Sequence, residues 1–274
     1  MSSKSGEPPV KVLRKAGELL SALAETDELT PAELSHRLGE PRSTIYRLLE
    51  SLEQLGFVDP GTGGSYRLGM QLFRLGNAAA RRFSDIRGAA GPAIEHLHAE
   101  TGETVFLTIR RGFEAVCLER LDGQFVGVMI LPVGGSVPLH GGANARALLA
   151  FEPPEFWEDY LDHAPLRRFT AKTITSRKEF IKELERIRRD GYSISDEDVI
   201  DHIASVGAPL FDYAGRLRGA ISLSGPRPAI LGTNRSRSVR LVKEAAAAAS
   251  RSLGQEDSAP GASDRRDDRA AGAR

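Results

Sequence analysis

Cysteine is almost missing from this chain. Cys117 stands alone in 274 residues, so no intramolecular disulfide can form and a reducing, cytoplasmic setting is expected. An excess of one charge is missing too. The 37 Lys and Arg are matched by 37 Asp and Glu, so bulk charge names no partner, and a nucleic-acid binder of this composition depends on where its arginines sit. Long apolar runs are also wanting: stretches such as Phe125 to Gly142 are interrupted by Pro and Gly and fall short of the roughly 20 apolar residues that span a bilayer. No membrane partner is expected. The opening "MSSKSGEPPVKVLRKAGELL" lacks the apolar h-region of a secretory signal.

Motifs for common chemistries are likewise absent. There is no Walker loop, and "GTGG" at 61–64 lacks the strand-to-helix context of dinucleotide binding, so no cofactor is expected. The six histidines are scattered; His96 and His98, two apart on a helix, diverge, and only His140 and His202 are candidates to meet in the fold, so no metal site is expected. Cys117, within "AVCLERL", reads as a buried inert thiol. With no nucleophile beside a base, catalytic residues are not expected and the chain does not read as an enzyme.

What is present is organised. The length suits two domains, and 41% hydrophobic residues, 27% charged and a mean hydropathy of −0.27 fit a folded soluble chain. Apolar residues at Val10, Leu13, Ala16, Leu20, Leu23 and Ala24 have helical spacing. "TPAELSHRLG" predicts a second, short helix with Thr30 as N-cap, Pro31 in the first turn, Glu33 completing a capping box and Gly39 as stop. "PRSTIYRLLESLEQL" predicts a third across a turn of about three or four residues, the spacing of a helix-turn-helix. Its stripe is Ile45, Leu48, Leu49, Leu52 and Leu55, with Gly56 as stop. "FVDPGTGGSYRLG" then reads as a hairpin with a flexible Gly-rich tip. Together these make a winged helix-turn-helix.

Beyond Met70 the pattern is a linker helix, a break at Gly88, Gly91 and Pro92, and the first helix of a second domain. Strands are expected at Val105–Ile109, Ala115–Leu121, Val126–Leu131, Ile203–Phe211 and Leu217–Leu223, and helices at Ala143–Phe151, Phe156–Tyr160, Ser176–Asp190 and Asn234–Leu253. The expected fold class is α+β: an N-terminal winged helix-turn-helix followed by a GAF/PAS-like α/β sensor domain with an antiparallel sheet. The expected boundaries are 8–70 for DNA binding, 71–88 for the linker helix, 89–254 for effector binding and 255–274 for a disordered tail without aliphatic residues larger than Ala.

"STIYRLLESLEQLGFV", "YRLGMQLFRLG", "VPLHGGANARALLA", "ELERIRRDGYSISDED" and "IASVGAPLFDYAGRLRGAISLSGP" resemble, in this order, segments of the IclR family of bacterial transcription regulators. The resemblance runs from about Val10 to Leu253. It implies a DNA-binding N-terminal domain, an effector-binding C-terminal domain, and a homodimer or dimer of dimers acting on double-stranded DNA with an inverted-repeat operator. It also implies effector contacts at Val126, Met129, Val137, Ala143, Asn144, Ser195, Ile203, Ser205, Ser222 and Ser224. Ser195 departs from the acidic residue common at its position, and "ANARALLA" replaces a more glycine-rich turn followed by Lys-Ala.

With the leucine stripe buried, Arg42, Ser43, Thr44, Tyr46, Arg47 and Glu50 occupy the remaining arc of the third helix. Arginine pairs bidentately with guanine, and hydroxyls suit phosphate oxygens. Thr30 and Arg67 complete the DNA-binding candidates, although a solvated helix face and a plain hairpin turn remain competing readings. In the second domain, the glycines of "PLHGGANARALLA" expose backbone N–H groups at Ala143 and Asn144 to an anion. Period-two spacing puts Ser222 and Ser224 on one strand face. The expected ligand is a small carboxylate-bearing metabolite; plain core packing for Val126, Met129 and Ile203 is the rival account. Two other functions stay open: a sensor-like domain that is an enzyme on a small ligand, and a winged-helix protein-interaction module.

Overall fold

The first stretch of the computed structural model is built by three capped or amphipathic helices. The structure describes residues 10–124 and 131–255, and the chain divides into one unit ending at Phe83 and another beginning at Ser84. In the first unit α1 (Lys11–Ala24), α2 (Pro31–Leu38) and α3 (Arg42–Gln54) precede a hairpin of β1 (Val58–Pro60) and β2 (Tyr66–Leu68), then α4 (Met70–Ala80). Both bonds of the expected capping box exist at α2: the Thr30 hydroxyl accepts from the Glu33 N–H at 3.3 Å, and the Thr30 N–H donates to Glu33 Oε2 at 2.7 Å. Gly39 closes the helix at φ +65°, a left-handed position that disfavours a side chain.

Leu19, Leu23, Leu34, Ile45, Leu49 and Val58 form the centre of this unit's core. Each such side chain contributes roughly 1.5–3 kcal/mol by leaving water. The hairpin is tied back by a bridge in which Leu29 and Tyr66 exchange backbone hydrogen bonds of 3.0 and 2.8 Å. Its tip, expected from its glycines to be a flexible end, is tethered to the residue before Leu29. Glu28 Oε2 accepts from the Thr62 N–H at 3.1 Å and from the Ser65 hydroxyl at 2.5 Å, a pinning contact from 34 residues away that local composition does not show.

The second unit is a layered α/β fold. Among the described residues it holds a six-stranded, wholly antiparallel sheet of order β5-β4-β3-β8-β7-β6, formed by β3 (Thr104–Arg111), β4 (Glu114–Leu121), β5 (Ser136–Pro138), β6 (Ser193–Asp196), β7 (Ile203–Phe211) and β8 (Leu217–Pro226). On one face lie α5 (Ser84–Thr101) and α10 (Arg235–Ser252), with α9 (Arg227–Leu231) at the end of the sheet; on the other lies α6 (Gly142–Ala150), itself packed on α8 (Arg177–Asp190). α7 (Pro154–His163) completes that side through Trp157 and Tyr160.

Two expectations need correction. The helix break expected at Gly88, Gly91 and Pro92 does not occur: α5 runs through all three. The interruption falls earlier, in a short 3₁₀ turn at Arg81–Phe83, so residues 71–88 are not one helix. Gly88, the residue four before Pro92, has open space where a side chain would be, and the buried Ile86, Ala90, Ile94 and Leu97 anchor one face, which offsets the lost helical hydrogen bond. The strands β5 and β6 and the short helix α9 were not expected from the sequence. The strand expected at Val126–Leu131 lies, except for Leu131, outside the described residues, as does residues 256–274 of the tail.

Candidate functional site

In α3 the buried residues are Ile45, Leu48, Leu49 and Leu52, all on one face of the helix, so the polar residues between them point away from the core. Arg42, Ser43, Tyr46 and Arg47 are exposed and Thr44 is half-buried; Tyr46 keeps 55% of its surface in water, unusual for a residue with so much apolar area. No hydrogen bond or ion pair holds either guanidinium, Arg42 or Arg47, among the described residues. Among the described residues most other arginines are paired, Arg74, Arg111 and Arg235 being further exceptions. Thr30 is placed differently, because its hydroxyl is occupied in the α2 cap. Arg67 lies 3.9 Å from Glu28. That carboxyl is held below its usual pKa by hydrogen bonds from Ser65 and Thr62, with Arg67 adding a charge effect.

In the second unit the strand register assembles hydroxyl side chains. Ser224 of β8 sits between Thr104 of β3 and Ser205 of β7, and Ser205 pairs in turn with Ser195 of β6. Thr104, Ser224, Ser205 and Ser195 therefore form a row across four strands, all buried. Two residues along, on the same face, Phe106, Ser222, Gly207 and Ser193 make a second row. This is the face that α6 covers. A Cβ at Gly207 would meet Ala143 C and Asn144 N at 2.8 and 2.9 Å, so the start of α6 touches the sheet backbone there.

The expected effector residues thus fall into three groups. Ser195, Ser205, Ser222 and Ser224 share one face with Ile203, two residues from Ser205, and Ala143 and Asn144 cap that face. Val137 does not join them. It pairs with Ala115 on the edge strand β5 and packs into the apolar cluster of α6, α7 and α8. Val126 and Met129 lie outside the described residues. The expectation of a free N–H at Ala143 is also modified, since that group donates to Ser205 Oγ at 3.4 Å. The hydroxyls of Ser222 and Ser224 have no hydrogen-bond partner among the described residues.

Sequence reasoning missed Arg146 and Asp198. Every residue of α6 from Ala143 to Ala150 is buried, including Arg146, whose guanidinium pairs with Asp198 and donates to the Ile194 carbonyl at 2.6 Å. Asp198 also accepts from the Ser195 hydroxyl. This network links the row of hydroxyls to the helix above it. A lone arginine among alanines and leucines in "GANARALLA" was the available signal, because a buried guanidinium demands a carboxylate partner. His140 and His202 do not meet. His140 is buried, with Nδ1 2.6 Å from the Tyr160 hydroxyl and Nε2 3.0 Å from the Arg167 carbonyl, whereas the His202 side chain is 93% exposed. A carbonyl only accepts, so Nε2 carries the proton and Tyr160 donates to Nδ1. Burial lowers the His140 pKa and lifts that of Tyr160 to about 12. The Cys117 thiol is pushed up to about 11, chiefly by burial. Among the described residues no cluster of three metal-binding side chains occurs and no helix is long and apolar enough to cross a membrane.

Comparison with known proteins agrees with this two-part geometry. The family described as bacterial transcriptional regulator IclR C-terminal matches residues 78–251, and the IclR helix-turn-helix domain matches residues 12–60. The chain belongs to the IclR family. Its relatives are named as regulators: the HTH-type transcriptional regulator KipR of Bacillus subtilis is 31% identical over 244 residues, 89% of this chain and 97% of KipR. The HTH-type transcriptional repressor AllR of Salmonella typhi is 33% identical over 196 residues, 71% of this chain and 72% of AllR. The crystal structure of the Thermotoga maritima IclR protein, 31% identical, superposes with a TM-score of 0.74 over 89% of this chain and 99% of its own. An IclR homologue from Microbacterium hydrocarbonoxydans, complexed with 4-hydroxybenzoate, shares the fold at 24% identity, with a TM-score of 0.75 over 89% of this chain and 99% of its own. An IclR-family chain thus joins a DNA-binding helix-turn-helix to an α/β domain, and its relatives regulate transcription.

Proposed function

We propose that this IclR-family chain is a cytoplasmic, ligand-responsive regulator in which α3 reads double-stranded DNA and a small carboxylate-bearing metabolite binds under α6. The observation that carries the reading is α3 itself: its leucine seam is buried while Arg42 and Arg47 stand in water without partners among the described residues. Ser43 and Tyr46, exposed on the same helix, supply further contacts, and Arg67 serves from the hairpin. A single helix reads few base pairs, so a homodimer on an inverted repeat is the expected assembly. Apolar surface supports it. α4 buries none of its residues, and Met70, Phe73 and Leu75 on it are exposed. A second copy of the chain is the natural cover for such surface.

For the effector, Ser222 and Ser224 offer hydroxyls that have no partner among the described residues, beside the start of α6, and Ser195, Ser205, Ala143, Asn144 and Ile203 border them. A neighbour of the same fold is complexed with 4-hydroxybenzoate, a carboxylate like the ligand proposed here. The ligand alters DNA affinity by the difference in its binding to the two forms of the dimer, typically about 1–3 kcal/mol. Arg42→Ala and Arg47→Ala should each weaken binding to a specific duplex by about 1–3 kcal/mol, read by mobility shift. Unchanged affinity in both variants would remove α3 from its assigned role.

A further inference from the structure

We infer that the cleft between α1 and α3 is a seat for a DNA phosphodiester, with Lys11 as its principal cation. The inference rests on the reading of α3 as the DNA-reading helix and extends it to a helix that the sequence did not implicate. The cleft has a volume of about 320 Å³, and its walls include Lys11 and Lys15 of α1 and Thr44, Arg47 and Ser51 of α3.

The charges around it are unequal. Lys15 is neutralised by Glu40 at 2.7 Å, and Arg14 on the same helix by Glu18 at 2.9 Å. Lys11 is exposed and has no ion pair or hydrogen bond among the described residues, like Arg47 opposite. The Thr44 side chain is also without a hydrogen-bond partner among the described residues, whereas Ser51 spends its proton on the Arg47 carbonyl at 2.9 Å. Two unspent cations and one unspent hydroxyl thus face one small cleft, with no carboxylate among its lining residues. Such a group suits a singly charged oxyanion that can accept several hydrogen bonds.

Arg47 fixes which oxyanion. It both lines the cleft and belongs to the exposed arc of α3. A duplex met by that arc brings its own backbone to the flank of the helix, because phosphates border the groove that the helix enters. Lys11 then holds register without reading sequence. The hairpin arginine is a poorer candidate for this role, since Arg67 already has a carboxylate 3.9 Å away.

The test is a salt series of fluorescence anisotropy titrations with the full-length chain, on a duplex it binds specifically and on an unrelated duplex of equal length. With Lys11→Ala both affinities should fall by the same factor, about fivefold per chain near 0.15 M salt, and the slope of log K against log salt should become shallower by about 0.9 per chain. Lys11→Arg should restore both, and Thr44→Val should weaken both duplexes alike by a smaller factor. An unchanged slope in Lys11→Ala, with the unmodified chain still binding specifically, would overturn the phosphate seat and leave the reading of α3 standing. A loss confined to the specific duplex would overturn it as well, because it would make Lys11 a reader of bases. Absence of any specific binding by the unmodified chain would instead overturn the reading of α3 and the seat with it.

Discussion

Arg146→Ala should lower the unfolding free energy of the second unit by about 3–5 kcal/mol, the usual cost of removing one partner from a buried ion pair. The side chains of Arg146 and Asp198 are 2% and 10% exposed, so the carboxylate left behind has little water to turn to. It also loses the partner that positions it for Ser195. The only tryptophan, Trp157, donates to the Leu149 carbonyl at 2.7 Å and reports on this core, so urea titration followed by its fluorescence reads the second unit by itself. Replacing both partners, as Arg146→Met with Asp198→Leu, should recover most of the loss, because an apolar pair needs no compensation. A loss below about 1 kcal/mol in the single variant would show that the pair is not the constraint described here.

Gly207→Ala should also destabilise the second unit, by a smaller amount and a different route. The added methyl would lie 2.8–2.9 Å from backbone atoms of Ala143 and Asn144, closer than van der Waals contact permits. Backbone cannot swing aside as a long side chain can, so α6 must lift from the sheet at the point where Ala143 meets Ser205. Overpacking of this kind costs about 1–3 kcal/mol. The same displacement separates α6 from the Ser222 and Ser224 hydroxyls, so loss of ligand response should accompany it. Because the first unit has its own core, DNA binding without ligand should persist. A variant of unchanged midpoint in urea would contradict the close approach.

Much of the first unit was readable because its signals are local. A capping box spans four residues, and both of its bonds are present at Thr30 and Glu33. The stripe of α3 spans less than four turns, and four of its five expected members are buried, Leu55 being 60% exposed at the frayed end. The second unit was less transparent. Period two placed Ser222 and Ser224 on one face of β8, but the partners of that face are set by register: Thr104 lies 120 residues before Ser224 along the chain, and β6 is a four-residue strand, "SISD", whose polarity looks like a loop. Both its serines are buried, and Ser195 donates to Asp198, the partner of Arg146, so the polar sequence does not mark a solvated loop. The misplaced break in α5 has a similar origin, since the burial of Ile86, Ile94 and Leu97 outweighs what Pro92 and two glycines suggest locally.

The most direct test of the central claim is selection from a pool of random duplexes by the full-length chain, repeated with the Arg42→Ala, Arg47→Ala double variant. The account predicts that the unmodified chain enriches an inverted repeat with half-sites about one helical turn apart, and that the double variant enriches none while retaining weak, salt-sensitive binding to any duplex. Enrichment of the same sequence by both chains would contradict it.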